Sequence, residues 1–174
     1  MDGMDLLMTR RSVRGFLKKE VDKDLIKKIC DAGLHAPTGR NRQSTIIIAI
    51  TDPEVRRRLT EVNAEIMGAS GTDTFYGAPV ILVVLARKDA RTYIYDGGAC
   101  MENLLLAAHE VGLAGCWIHR AKEEFEMPEF QELLKGLGIA DPENYEGIGH
   151  CAIGYPADLA RPREINEGRL FFIS

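Results

Sequence analysis

No run of apolar residues in this chain approaches the roughly 20 that span a bilayer. The longest, TIIIAI and APVILVVLA, have the length of buried strands. No signal peptide is expected, because Asp2 and Asp5 flank the only early apolar residues. Cysteine is sparse. Cys30, Cys100, Cys116 and Cys151 are far apart and form no CxxC pair, which argues against a disulfide framework and for buried, reduced thiols. The four histidines show no HExxH or other paired-ligand spacing, so no metal is expected. A GxSxG elbow and a GxxxxGK[ST] loop are both missing. These absences leave a soluble, cytoplasmic globular protein with no catalytic side chain marked by spacing.

What is present is ordinary in bulk. The 174 residues, 45% hydrophobic and 28% charged, suit one domain able to bury roughly 70% of its unfolded surface. The net charge of −4 means that any anion must be held by a local patch rather than by the whole molecule. One segment stands out against that acidity. MTRRSVRGF, residues 8–16, packs Arg10, Arg11 and Arg14 around Ser12. Guanidinium forks and a short hydroxyl suit a phosphate, although a solvated basic turn would look the same. No aromatic stacking platform or extended basic face accompanies the cluster, which argues against nucleic acid.

Periodicity divides the rest. DGMDLLMT (2–9) reads as a short helix. VDKDLIKKICDAGLHA has helical spacing, with Asp22 as cap and Gly33 near the stop. APTGRNRQ (36–43) is a polar loop whose Thr38, Asn41 and Gln43 carry donors and acceptors, the makings of a recognition loop or of a plain connection. STIIIAIT (44–51) is a buried strand, and Asp52 with Pro53 opens the next helix. After a loose GASGTDTFYG comes the strand APVILVVLA (78–86). The helix of 95–111 is expected to be capped by Asp96 and ended by Gly112; it is apolar or small on most sides, as suits a core or a partner's cover. A strand at 115–118, polar helical pieces around Pro128 and a last strand at 147–156 follow. GIGHCA (147–152) superficially fits GxGxxA, but the residues after it still read as strand and open no βαβ unit. Alternating helices and strands imply strands enclosed by helices in one domain. The tail, 157–174, ends in LFFIS, whose burial is worth about 1.5–3 kcal/mol per large side chain, so it must dock on this chain or on a second copy.

Taken together, these pieces resemble the nitroreductase family of flavin enzymes. RRSVRGF is similar to that family's basic RRSxRxF opening, and LIKKICDAGLHAPTGRNRQ to its helix and AP[ST]xxNxQ loop. YGAPVILVVLA, DGGACMENLLLAAHEVGLAGCWI and GIGHCAIGYP with ARPRE follow in the family's order across residues 8–165. The resemblance implies an α+β fold with a mixed central sheet, in an intertwined homodimer whose C-terminal tail packs on the partner. It implies FMN at the interface, with NADH or NADPH as reductant. Carried over, Arg10, Arg11 and Ser12 would hold phosphate and ribityl oxygens, and Arg14 would sit near the N1/O2 edge of the ring. Thr38, Asn41 and Gln43 would reach in from the other subunit, Ala114 and Gly115 would lie beside the ring, and Arg163 would add a phosphate ligand. The implied activity is reduction of a nitroaromatic, quinone or similar electron-poor acceptor by alternating use of one pocket. A flavin store, a flavin-cleaving protein and an unrelated phosphate-binding module are the alternatives. The sequence departs from the family where Ser44-Thr45 replaces the usual Pro-Trp, where Ala114 stands in the Gly-Leu-Gly turn, and where the lid region is cut to about 65–76.

Overall fold

The computed structural model describes residues 2–158 and 160–173. Leu159 and Ser174, which belong to the tail expected to dock, lie outside the described residues. Four strands make one sheet: β1 (Thr45–Ile50), β2 (Val80–Arg87), β3 (Ala114–Ile118) and β4 (Tyr145–Gly154), in the order β1-β2-β4-β3. All neighbouring strands pair antiparallel, with a register shift between Val84 and Leu85 against β4. The parallel pairing expected of a mixed sheet is confined, among the described residues, to a bridge between Ser12 and Gly115. Among the described residues six α-helices accompany the sheet: α1 (Gly3–Thr9), α2 (Lys23–Leu34), α3 (Pro53–Ile66), α4 (Tyr93–Glu110), α5 (Ala121–Phe125) and α6 (Pro128–Gly136).

The apolar run of β2 is continuous because both faces of the sheet are covered. Ile81, Val83 and Leu85 point into one core with Leu59 of α3, Phe125 of α5 and Leu134 of α6. Val80, Leu82 and Val84 point into the other with Ile29 of α2 and Cys100, Met101 and Leu104 of α4. Two glycines let neighbouring elements pack closely. A Cβ on Gly33 would lie 2.6 Å from Leu104, where α2 crosses α4, and one on Gly147 would lie 2.2 Å from the Ala121 backbone, where α5 rests on β4. Helix entry follows the local rules at two of the expected caps. Asp22 accepts from the Asp24 N–H, and Asp52, ahead of Pro53, accepts from Glu54 and Val55. Asp96 is a correction. It sits inside the first turn of α4, which begins after Thr92, and its carboxylate accepts from a distant loop and from the Thr92 hydroxyl rather than from the helix's first backbone N–H groups.

The described tail has no regular structure, and its apolar end is bare on this chain, with Phe172 86% exposed. Met4, Leu7 and Met8 on α1 and Ile94 and Tyr95 on α4 are exposed as well. Among the described residues no helix is long and apolar enough to cross a membrane.

All four cysteines are free thiols. Burial pushes Cys30 up to about 11 and Cys100 up to about 12, and it raises Cys116 and Cys151 too. At pH 8 a thiol with a pKa near 11 is ionised in about one molecule per thousand. Ellman's reagent at pH 8 should therefore leave the native protein's thiols almost unlabelled over minutes and titrate all four in denaturant. One thiol reacting at the rate of free cysteine would contradict this burial.

Candidate functional site

The arginine-rich segment is held against the edge of the sheet. Ser12 bridges Gly115, the Val13 N–H donates to the Gly115 carbonyl at 3.2 Å, and Phe16 bridges Pro156 beyond the end of β4. The Ala157 N–H then donates to Gly15, which brings the start of the tail back beside the same segment. The result is a cleft of about 380 Å3 lined by Ser12 and by Arg10, Arg11, Arg14, Arg161 and Arg163. Among the described residues no carboxylate lines it.

The guanidinium groups in this cleft are under-satisfied. Arg10 Nε lies 3.4 Å from the Glu102 carboxylate of α4, the one ion pair the five make among the described residues. Its Nη1 is buried with no partner. Arg11 Nη1 donates to the Met8 and Arg10 carbonyls, whereas its buried Nε has no partner. Arg14 is exposed and makes no hydrogen bond or ion pair among the described residues. Buried donors are normally paired, so these nitrogens mark where an acceptor belongs. The backbone beside them is flush. Gly112, at φ 77, makes the turn into β3, and a Cβ on Gly115 would meet Leu105 at 2.9 Å. The missing side chain at Gly115 lets β3 pack close on α4, behind the segment that Ser12 and Val13 pair with it.

The second recognition loop is built elsewhere. Gly39–Asn41 forms a short 3-10 turn, and Arg40, Asn41 and Gln43 all take left-handed backbone angles (φ 55, 53 and 49). Left-handed L-residues are uncommon and cluster at functional sites. The Asp96 carboxylate anchors this loop, accepting from the Gly39 N–H at 3.0 Å, the Ser44 hydroxyl at 2.9 Å and the Thr92 hydroxyl at 3.1 Å. Thr38 Oγ1 accepts from the Gln43 N–H, and the Gln43 amide donates to Asn41. Asn41 and Gln43 are exposed.

The structure thus splits the residues singled out by sequence. Arg10, Arg11, Ser12, Arg14, Ala114, Gly115 and Arg163 come together. Thr38, Asn41 and Gln43 form a separate cluster that does not line the cleft of the same chain. Sequence reasoning missed Arg161. The signal was available in the Arg-Pro-Arg spacing, since the two arginines beside Pro162 reach one cleft. It also missed Glu102 and the anchoring role of Asp96.

Helices around a four-stranded sheet with a cation-lined edge cleft define an α+β protein of the nitroreductase fold. A crystal structure of a nitroreductase with bound FMN from Bacteroides fragilis superposes with a TM-score of 0.88, at 26% identity, over 100% of both chains. A nitroreductase with bound FMN from Desulfitobacterium hafniense shares the fold, with a TM-score of 0.84 over 98% of this chain and 97% of that one, at 24% identity. A protein of Archaeoglobus fulgidus, provisionally named an NADH dehydrogenase/NAD(P)H nitroreductase, is 31% identical over 160 residues, 89% of this chain and 86% of its own. The family model described as "Nitroreductase family" matches residues 7–155. The chain belongs to the nitroreductase family.

Proposed function

We propose that this chain is an FMN-dependent NAD(P)H oxidoreductase that works as a homodimer. The observation that carries the reading is the pair of buried, unpartnered guanidinium nitrogens on Arg10 and Arg11, in a cleft lined, among the described residues, by five arginines and no acid. A phosphate supplies the acceptor oxygens those donors lack, and Arg binds it through a planar fork. Arg10, Arg11, Ser12 and Arg163 hold the phosphate and ribityl oxygens of FMN in this reading. Arg14 places positive charge at the pyrimidine edge of the ring, which increases its affinity for electrons. Ala114 and Gly115, on the strand that Ser12 bridges, lie beside the ring in this reading.

Thr38, Asn41 and Gln43 lie outside the cleft of their own chain, so they serve the cofactor of the other copy. The bare tail, α1 and the start of α4 offer the apolar surface for that association. Residues 1–174 then act as one domain, with the tail from about 157 packed on the partner. The cytoplasm, which keeps thiols reduced, suits the four free cysteines.

FMN, when bound, supplies the redox chemistry: hydride from NADH or NADPH arrives at N5, and an electron-poor acceptor, a nitroaromatic or a quinone, later takes the electrons. The protein's part is to bind, orient and tune, and no side chain is assigned as acid or base. One pocket used in turn by donor and acceptor gives ping-pong kinetics, with parallel double-reciprocal lines. The deciding measurement is a visible absorption spectrum of the purified protein, repeated anaerobically with each nicotinamide. A yellow protein bleached by NADH or NADPH is expected. A protein that stays colourless with added FMN would end the reading, and bound flavin that neither nicotinamide reduces would favour storage or flavin cleavage.

A further inference from the structure

A second cavity adjoins the cleft, sharing Arg14 with it. It holds about 150 Å3, and its wall includes Thr74, Cys116, His119, Arg120 and Arg14, together with Asp73, whose carboxylate is taken up by the Phe75 and Gly77 N–H groups. Two donors in this wall lack acceptors. Thr74 is 4% exposed and its hydroxyl has no partner. Arg120 gives its Nε to Asn63 Oδ1 at 3.0 Å, and the rest of its guanidinium makes no hydrogen bond or ion pair among the described residues. A buried hydroxyl is rarely left unpaired without a reason.

Arg120 is held from behind by a buried relay that the reaction itself does not use. Asn63 of α3 donates to the His119 carbonyl at 3.0 Å and to Glu124 Oε1 at 2.6 Å. Both of its amide donors and its amide oxygen are thereby engaged. Glu124 Oε2 lies 2.6 Å from His150 Nε2, and both side chains are 0% exposed. The approach is close but bent outside hydrogen-bond geometry. His150 Nδ1 is 3.3 Å from the Ile118 carbonyl, which can only accept, so Nδ1 carries a proton. The relay runs from β4 through α5 and α3. It ends on a guanidinium in the wall of the cavity that the unpartnered Thr74 hydroxyl also lines.

We propose that Arg120 and Thr74 read a carbonyl or carboxylate edge of a bound ligand in this cavity, and that Asn63, Glu124 and His150 position Arg120 for it. The inference rests on the FMN reading above. Oxygen edges of this chemistry come from two sources, the ring of the cofactor or the electron acceptor, and the test separates them.

Arg120→Met, Arg120→Lys and Thr74→Val are compared with the wild type. The readouts are FMN dissociation constant, flavin midpoint potential, and kcat and KM for 4-nitrobenzoate against uncharged nitrobenzene. If the edge belongs to the cofactor, Arg120→Met weakens FMN binding about tenfold and lowers the potential, whereas Arg120→Lys recovers most of both. If it belongs to the acceptor, FMN binding holds and the KM ratio of nitrobenzoate to nitrobenzene rises about tenfold. Thr74→Val shifts the same readout in the same direction, and it stands in should Arg120→Met not fold. His150→Gln adds nothing further in the double variant with Arg120→Met, a coupling that general loss of stability would not produce. Folded Arg120→Met and Thr74→Val proteins within about twofold of wild type on every readout overturn the proposal while FMN binding by the wild type stands. A wild type that takes up no FMN overturns the cofactor reading itself.

Discussion

Replacing Arg10 and Arg11 together with methionine should weaken FMN binding by about 10²- to 10⁴-fold and leave the protein folded. Each side chain has a buried nitrogen without a partner in the cleft. A hydrogen bond from a charged group contributes roughly 1.5–3 kcal/mol, and two lost bonds give the stated range. The structural cost is small. The ion pair of Arg10 with Glu102 involves a half-exposed carboxylate, and pairs of that kind are worth about 0–1 kcal/mol. The bonds of Arg11 go to carbonyls at the end of α1, a helix that buries no residue. Removing two of five neighbouring cations also relieves repulsion, so the apoprotein should melt at or above the wild-type temperature. Titration of apoprotein with FMN and a thermal melt of the same samples check both halves. Unchanged FMN affinity would show that the cleft is not the phosphate site.

Asp96→Ala should do the reverse, with stability lost first and cofactor binding following from it. The carboxylate accepts from the Gly39 N–H and from the Ser44 and Thr92 hydroxyls, and both Ser44 and Asp96 are buried. Truncation leaves those donors without an acceptor, at a cost of about 3 kcal/mol or more. Left-handed backbone at Arg40, Asn41 and Gln43 stores about 1–2 kcal/mol per residue, and with the anchor gone the loop relaxes out of it. Chemical denaturation should show the loss of stability. FMN binding should also weaken, because Thr38, Asn41 and Gln43 no longer hold their geometry for the partner. Asp96→Asn retains one acceptor oxygen but turns an N–H toward the hydroxyls, so it should fall between wild type and alanine. If Asp96→Ala were as stable as the wild type, the anchoring role assigned to this carboxylate would be wrong.

Much of the fold is legible along the chain because it depends on neighbours in sequence. The caps at Asp22 and at Asp52-Pro53 act within one turn. The strands TIIIAI and VILVVL announce themselves by β-branched runs, and the GIGHCA glycines lie inside β4, as their continuation into strand residues indicated. The basic segment of the cleft was legible for the same reason, since three arginines within five residues need no fold to be close. Asp96 was misread because an Asp near a helix start satisfies the local capping rule, whereas its actual donors at Gly39 and Ser44 lie more than fifty residues back in the chain. Glu124 was equally hidden. Within AKEEFE it looks like its exposed neighbours Glu123 and Glu126, yet it is fully buried against His150.

By itself the sequence determined the element types, most of their ends and the chemical identity of the cleft, since capping, side-chain periodicity and charge density are short-range properties. Only the tertiary structure decided the strand order, the meeting of Ser12 with Gly115, and the return of Arg161 to the opening segment. It also set the loop at 38–43 apart from that cleft and buried one glutamate among several. Those outcomes depend on which distant surfaces exclude water together, and no local pattern of residues encodes that choice.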